Sequence, residues 1–154
     1  IIEIGLVIVS REGAVKHKEQ IFVKPMYNKI SEFCTNLTGY DELFLKKNGI
    51  SYYDACRKII KLGSKNKTII AWGEDWNQFK MESEWKGVEY PLSNSNLNLS
   101  LINSIMLKSK EKVSLENALK FWDIEPVGRL HSGLDDAYNT SLILKKMTER
   151  FPSL

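Results

Sequence analysis

The chain opens on a run that is apolar on both faces of an extended strand. Ile1-Ile2-Glu3-Ile4-Gly5-Leu6-Val7-Ile8-Val9 is rich in β-branched residues. It lacks the strict alternation of a half-exposed strand, and so suits a strand inside a sheet. Arg11-Glu12-Gly13 reads as a turn and Ala14 to Val23 as a returning strand, so the two are expected to form a hairpin ended by Pro25. A native chain rarely starts with Ile in the middle of an apolar strand. The expectation is therefore that further residues precede Ile1 in the full protein.

The rest of the chain alternates helical and extended signals. Ser31 to Leu37 is a short helix candidate stopped by Gly39, and Asp41 to Lys47 another, stopped at Asn48-Gly49. Ser51 opens a longer helix, with Asp54 placed as in a capping box and Ala55, Ile59 and Leu62 at helical spacing. Thr68 to Trp72 reads as a short buried strand broken by Gly73, and a helix starts near Asp75 or Trp76. Asn94 to Asn98 reads as a polar stretch before Leu99 to Leu107, which is helical or partly strand. Ser114 caps a helix with Leu115, Ala118, Leu119 and Trp122 on one face. Pro126 and Gly128 interrupt, and the last helix runs from about Leu134 to Arg150 and stops before Pro152. The order predicts one mixed α/β domain over residues 1–154, without repeat, linker or low-complexity tract.

Composition narrows the function little. The 154 residues can bury one real core, and 43% hydrophobic with 27% charged residues is ordinary for a soluble globular protein. A formal charge of +3 permits a nucleic-acid partner without arguing for one. Cys34 and Cys56 form no C-x-x-C pair, so a zinc site is not expected; two reduced thiols suit a cytoplasmic protein. No apolar run approaches a membrane span.

Two segments carry chemistry. In Gly128-Arg129-Leu130-His131-Ser132-Gly133-Leu134-Asp135-Asp136-Ala137-Tyr138-Asn139-Thr140, a histidine precedes a helix whose first turn holds two acids. The helix dipole favours carboxylates there, and a general base and a metal-binding carboxylate could meet on one reacting centre. By spacing alone the segment serves equally as a capped helix start with solvated acids. In Trp72-Gly73-Glu74-Asp75-Trp76 an acid projects from the carboxyl end of a strand, the edge where open α/β sheets bind ligands.

With the opening "IIEIG" and its hairpin, "SEFCTNLTG", "AWGED" and "GRLHSGLDDAYNT" resemble, in order, the DEDDh 3′–5′ exonucleases, and within them the RNA-trimming branch with its sporulation-inhibitor-like relatives. The resemblance runs through nearly the whole chain and implies a ribonuclease-H-like fold, a mixed five-stranded sheet flanked by helices. It implies cleavage of single-stranded nucleic acid, RNA ahead of DNA, from the 3′ end to nucleoside 5′-monophosphates. It implies four acids holding two divalent ions, Mg²⁺ or Mn²⁺. By match to the family's motifs, Asp75 and Asp136 would be two of those acids and His131 the general base.

The other two acids belong to a D-x-E on a strand before "IIEIG", which this sequence lacks; the domain is expected to be N-terminally incomplete, with its first strand missing. Glu3 is read as structural and His17 is given no role. Leu37, Thr38 and Gly39 are placed as substrate contacts, although Gly39 serves equally as a helix C-cap. Trp72 and Trp76 could stack on bases or fill core, and Arg129 could meet a phosphate or simply face solvent. The runs Lys58-Lys61-Lys65-Lys67 and Lys108-Lys110-Lys112 are solvated faces that could help hold a nucleic-acid backbone.

The missing D-x-E motivates a rival: a nuclease-fold module that binds nucleic acid or scaffolds a partner without cutting. An endonuclease of the same fold class is a third reading. Without the first strand, backbone groups along the strand at Ile1 would lack partners, so the residues present are expected to fold poorly or to compensate through dimer contacts or strand exchange.

Overall fold

The structure is a computed structural model that describes residues 1–27 and 29–150. Strand β1 (Glu3–Val9) pairs with β2 (Val15–Phe22). There follow α1 (Glu32–Thr38), α2 (Glu42–Asn48), α3 (Tyr52–Lys61), a 3₁₀ turn at Ser64–Asn66, β3 (Ile69–Ala71), α4 (Asp75–Lys86), β4 (Asn96–Asn98), α5 (Leu99–Met106), α6 (Leu115–Phe121) and α7 (Gly133–Arg150). The α/β class expected from the sequence is present. Of the five strands that the resemblance implies, the described residues supply four, as the pairs β1–β2 and β3–β4. β4 corrects one expectation, because Asn96-Leu97-Asn98 falls in a stretch that reads as polar and irregular. So short and polar a strand carries no apolar alternation and is recognisable only by its partner. The stop before Pro152 lies outside the described residues.

The chain divides into two compact units. The first comprises Ile1–Ile4, Gln20–Ile69 and Asp75–Asn96; the second comprises Gly5–Glu19, Ile70–Glu74 and the residues from Leu97 onward.

In the first unit the helices start where capping predicts. Ser31, Asp41 and Ser51 each accept a backbone N–H three residues on, and the Ser51 hydroxyl also donates to Asp54 Oδ2 at 2.6 Å. Gly39 ends α1 in the left-handed region (φ 76°), its N–H donating to Thr35 O at 2.7 Å. Val23 pairs in parallel with Ile50, and Val23 N–H donates to Ile2 O at 2.9 Å. Phe22, Tyr40 and Phe44 form an aromatic trio with ring centroids 4.8–5.1 Å apart, and Leu45, Ala55 and Ile59 are fully buried. The Tyr52 hydroxyl lies 2.9 Å from Ser83 Oγ and donates to Phe79 O at 3.2 Å. Beside it Lys86 pairs with Glu82 at 2.5 Å, both side chains at most 10% exposed. Glu3 Oε1 accepts a hydrogen bond from Gln20 Nε2 at 2.7 Å, in keeping with its structural reading.

In the second unit Leu99, Val113, Ala118, Leu119, Trp122 and Ile143 form the core. Each large aliphatic side chain buried there contributes about 1.5–3 kcal/mol. Asn103, without exposure, satisfies its amide inside this core: Nδ2 donates to Leu99 O, and Oδ1 accepts the Trp122 indole N–H at 2.7 Å. The β1–β2 turn closes through Ser10 N–H to Ala14 O (2.8 Å) and Gly13 N–H to Ser10 O (3.0 Å), with Gly13 at φ 80°.

Candidate active site

The start of α7 is built from glycines and acids with separate roles. A Cβ on Gly5 of β1 would lie 2.0 Å from the carbonyl carbon and oxygen of Gly133 and 2.3 Å from Leu134 N. Strand and helix therefore touch backbone to backbone, a separation only glycine allows. Ser132, 5% exposed, accepts the first intrahelical bond, from Asp136 N–H at 2.9 Å.

The two acids then diverge. Asp135 Oδ2 accepts the Arg129 N–H at 2.9 Å, and Gly128 (φ 73°) leaves room for that carboxylate, which a Cβ would approach within 2.3–2.5 Å. Asp136 Oδ1 instead accepts the N–H of His131 at 3.4 Å. His131 is exposed and holds φ 69°, a left-handed conformation that costs a non-glycine residue about 1–2 kcal/mol. Below the loop, the fully buried Asn139 accepts Val127 N–H at 2.9 Å and donates to Val127 O at 3.0 Å.

This geometry ties the His131 backbone amide to the Asp136 carboxylate. Arg129 is exposed on the same loop. Trp72, in the same unit, is half-buried against the core, and its indole N–H donates to Val113 O at 3.1 Å. That is the packing alternative of the sequence reading, and it leaves the edge of Trp72 engaged.

The remaining candidates belong to the first unit. Asp75 opens α4. The residue keeps solvent access, yet protein crowds its carboxyl enough that burial pushes its pKa above the ordinary value. Leu37 is 42% exposed, and Gly39 is the α1 C-cap. Thr38 Oγ1 donates to Cys34 O at 2.8 Å and accepts Tyr40 N–H at 3.3 Å. Sequence reasoning singles out His131, Asp75 and Asp136 as candidates but does not foresee how Gly5, Gly133, Asp135 and Asn139 hold the loop and the start of α7.

Donor chemistry at Asp75 and Asp136 suits a hard divalent cation, which takes oxygen ligands. Among the described residues, however, no group of three His, Cys, Asp or Glu side chains converges as a metal site. Cys34 and Cys56 are both free thiols, Cys56 buried and Cys34 half-buried. Among the described residues no helix is long and apolar enough to cross a membrane.

Comparison with known proteins identifies the family. The family described as Exonuclease (RNase_T) matches residues 1–144. ERI1 exoribonuclease 2 of Mus musculus is 30% identical over 173 residues, covering 96% of this chain; the chain spans 25% of that relative's length. Among solved structures, the nuclease domain of 3′hExo, a DEDDh family member bound to rAMP, superposes with a TM-score of 0.85 at 21% identity, covering 97% of this chain and 81% of that one. Pop2p of S. pombe, in a form with Mg²⁺ and Mn²⁺ bound, gives a TM-score of 0.75 at 18% identity over 97% of this chain and 68% of its own. The chain belongs to the exonuclease family, and its fold is the ribonuclease-H-like fold of the DEDDh 3′-exonucleases.

Proposed function

We propose that residues 1–154 are a single exonuclease domain that removes nucleotides one at a time from the 3′ end of single-stranded nucleic acid, RNA ahead of DNA, releasing nucleoside 5′-monophosphates. The observation that supports this reading is the loop that ties the His131 backbone amide to Asp136 at the start of α7 in a chain of the exonuclease family. Relatives lend the chemistry: one is named an exoribonuclease, one holds rAMP, and one holds Mg²⁺ and Mn²⁺.

Asp75 and Asp136 would supply oxygen ligands to two divalent ions, Mg²⁺ or Mn²⁺. Such ions, when bound, stabilise the negative charge that builds on a phosphodiester during hydrolysis and make a nearby water more acidic. The His131 imidazole takes the proton from the water that attacks the terminal phosphorus. The bond from phosphorus to the 3′ oxygen of the preceding nucleotide breaks. That oxygen leaves on the shortened strand with a proton from solvent, and the phosphate stays on the 5′ carbon of the released nucleotide. Leu37, Thr38 and Gly39 would contact the terminal nucleotide, and Arg129 a phosphate. For Trp72 a base contact competes with the packing described above. A cytoplasmic location belongs to the same reading, supported by the two free thiols.

The test is product analysis. Unlabelled single-stranded RNA digested with Mn²⁺ in H₂¹⁸O should yield nucleoside 5′-monophosphates bearing one ¹⁸O on phosphate. Nucleoside 3′-monophosphates, or internal fragments, would overturn the reading. A second reading, a module that binds RNA without cutting, is favoured by the lack of a three-residue metal group among the described residues. Tight RNA binding by folded protein with no release of nucleotide in Mg²⁺ or Mn²⁺ would select it.

A further inference from the structure

The loop that presents His131 owes its shape to the helix that follows it. Between the end of α6 and the start of α7 the chain runs through Pro126, Val127, Gly128, Arg129 and Leu130, and the residues Glu125 to Arg129 are exposed. So exposed a loop has no packing of its own to fix it. Three of its polar anchors come from the first two turns of α7. Asn139 is fully buried, accepts Val127 N–H at 2.9 Å and donates to Val127 O at 3.0 Å. Because a backbone N–H can only donate and a carbonyl only accept, the two bonds fix the orientation of the amide as well as the loop. Asp135 then holds Arg129 N–H at 2.9 Å, and Asp136 receives His131 N–H at 3.4 Å. Three successive alternate residues of the loop, 127, 129 and 131, are therefore tied to the helix. His131 lies at the end of this ladder in a left-handed conformation (φ 69°) that an untied chain would leave.

We propose that Asn139 is a positioning residue for His131, acting with Asp135 as a two-point clamp on the loop. The inference rests on the reading of His131 as proton acceptor, because positioning matters only if the imidazole must meet a particular water. Asn139 forms its two bonds with Val127 and stands below the loop, so its effect passes through the backbone rather than through substrate. Releasing Val127 leaves the His131 imidazole sampling several places, and a misplacement of about 1 Å costs on the order of 100-fold in rate. Substrate affinity changes far less, because, of the contacts proposed for the terminal nucleotide, only that of Arg129 lies on this loop.

The experiment is a mutant cycle on the full chain, with RNA as substrate. Asn139→Ala should lower kcat about 100-fold, with a much smaller change in KM through Arg129. In a His131→Ala background the same substitution should change the residual rate less than about 3-fold, since the residue through which it acts is gone. An equal loss in both backgrounds, or a fall in KM-dependent binding alone, would overturn the proposal, because it would mean Asn139 serves the core or the substrate directly. Should Asn139→Ala not fold, Asp135→Ala is read in the same cycle; it frees Arg129 and leaves the buried amide in place. NMR separates this proposal from the function it rests on. His131 ring and amide signals should be single in the parent protein and exchange-broadened in Asn139→Ala and Asp135→Ala, while core signals such as Ile143 stay sharp. Unchanged His131 signals would overturn the clamp even in an active enzyme. If the parent protein cleaves no RNA, the nuclease reading fails alone, and the NMR comparison still decides whether Asn139 positions His131.

Discussion

Gly5 and Gly133 meet backbone to backbone: a side-chain carbon on Gly5 would stand 2.0 Å from the Gly133 carbonyl. This contact seats the start of α7, and with it the His131–Asp136 pair, on strand β1. Gly5→Ala should therefore do more than fill space. The obstructing atoms are backbone, which has no rotamer to escape into, so strand and helix must separate. The expected cost is about 3 kcal/mol, at the upper end for overpacking, read by urea unfolding. A loss below about 1 kcal/mol would show that the contact relaxes freely.

Gly128 and Asp135 give a prediction with an internal control. Gly128→Ala places a Cβ against the Asp135 carboxylate in a left-handed backbone. The expected loss is about 2 kcal/mol, of which roughly half is backbone strain. In an Asp135→Ala background only the strain should remain. Equal losses in both backgrounds would mean that the carboxylate moves aside without cost.

Glu82 should make the fold sensitive to acid. Burial pushes its carboxyl up, but the hydrogen bond and the charge of Lys86 oppose this, and the pKa lies below the ordinary 4.5. A depressed folded-state pKa gives stability that is present above the unfolded-state value and is lost as pH falls through the folded-state value. Glu82→Gln should thus cost about 2 kcal/mol at neutral pH, and the gap should close as the pH falls below 4.5. A gap that persists unchanged in acid would show that the charge of Glu82 is not what matters.

Trp72 separates packing from recognition. Its indole N–H donates to Val113 O, so Trp72→Phe should lower stability by about 1 kcal/mol while leaving RNA affinity in place. A selective loss of affinity at unchanged melting temperature would instead give the ring a base to stack on.

Much of this architecture is legible in the sequence, and the exceptions share a cause. Caps announce themselves locally: Ser31, Ser51 and Gly39 do in the structure what their types and spacing imply. The helix after His131 is equally plain. Strand β4 is not, since Asn96-Leu97-Asn98 becomes a strand only by meeting β3. Gly5 looks like a weak position in an apolar strand until Gly133 is found against it. By position alone Asp135 and Asp136 are both first-turn acids; the family match singles out Asp136, and the fold sends Asp135 to the Arg129 amide and Asp136 to the His131 amide. Asn139 reads as a polar residue on a helix surface, yet it is completely buried. Each of these depends on a partner supplied by tertiary structure, to which periodicity is blind.

The proposed catalysis turns on His131, and the most direct measurement is the rate at which 5′-labelled single-stranded RNA is shortened by the parent protein and by His131→Ala at equal Mn²⁺. The expected result is a one-nucleotide ladder that needs the metal and slows at least about 100-fold without the imidazole, with RNA binding unchanged. A ladder that forms at the same rate in His131→Ala would contradict the role of His131 as proton acceptor.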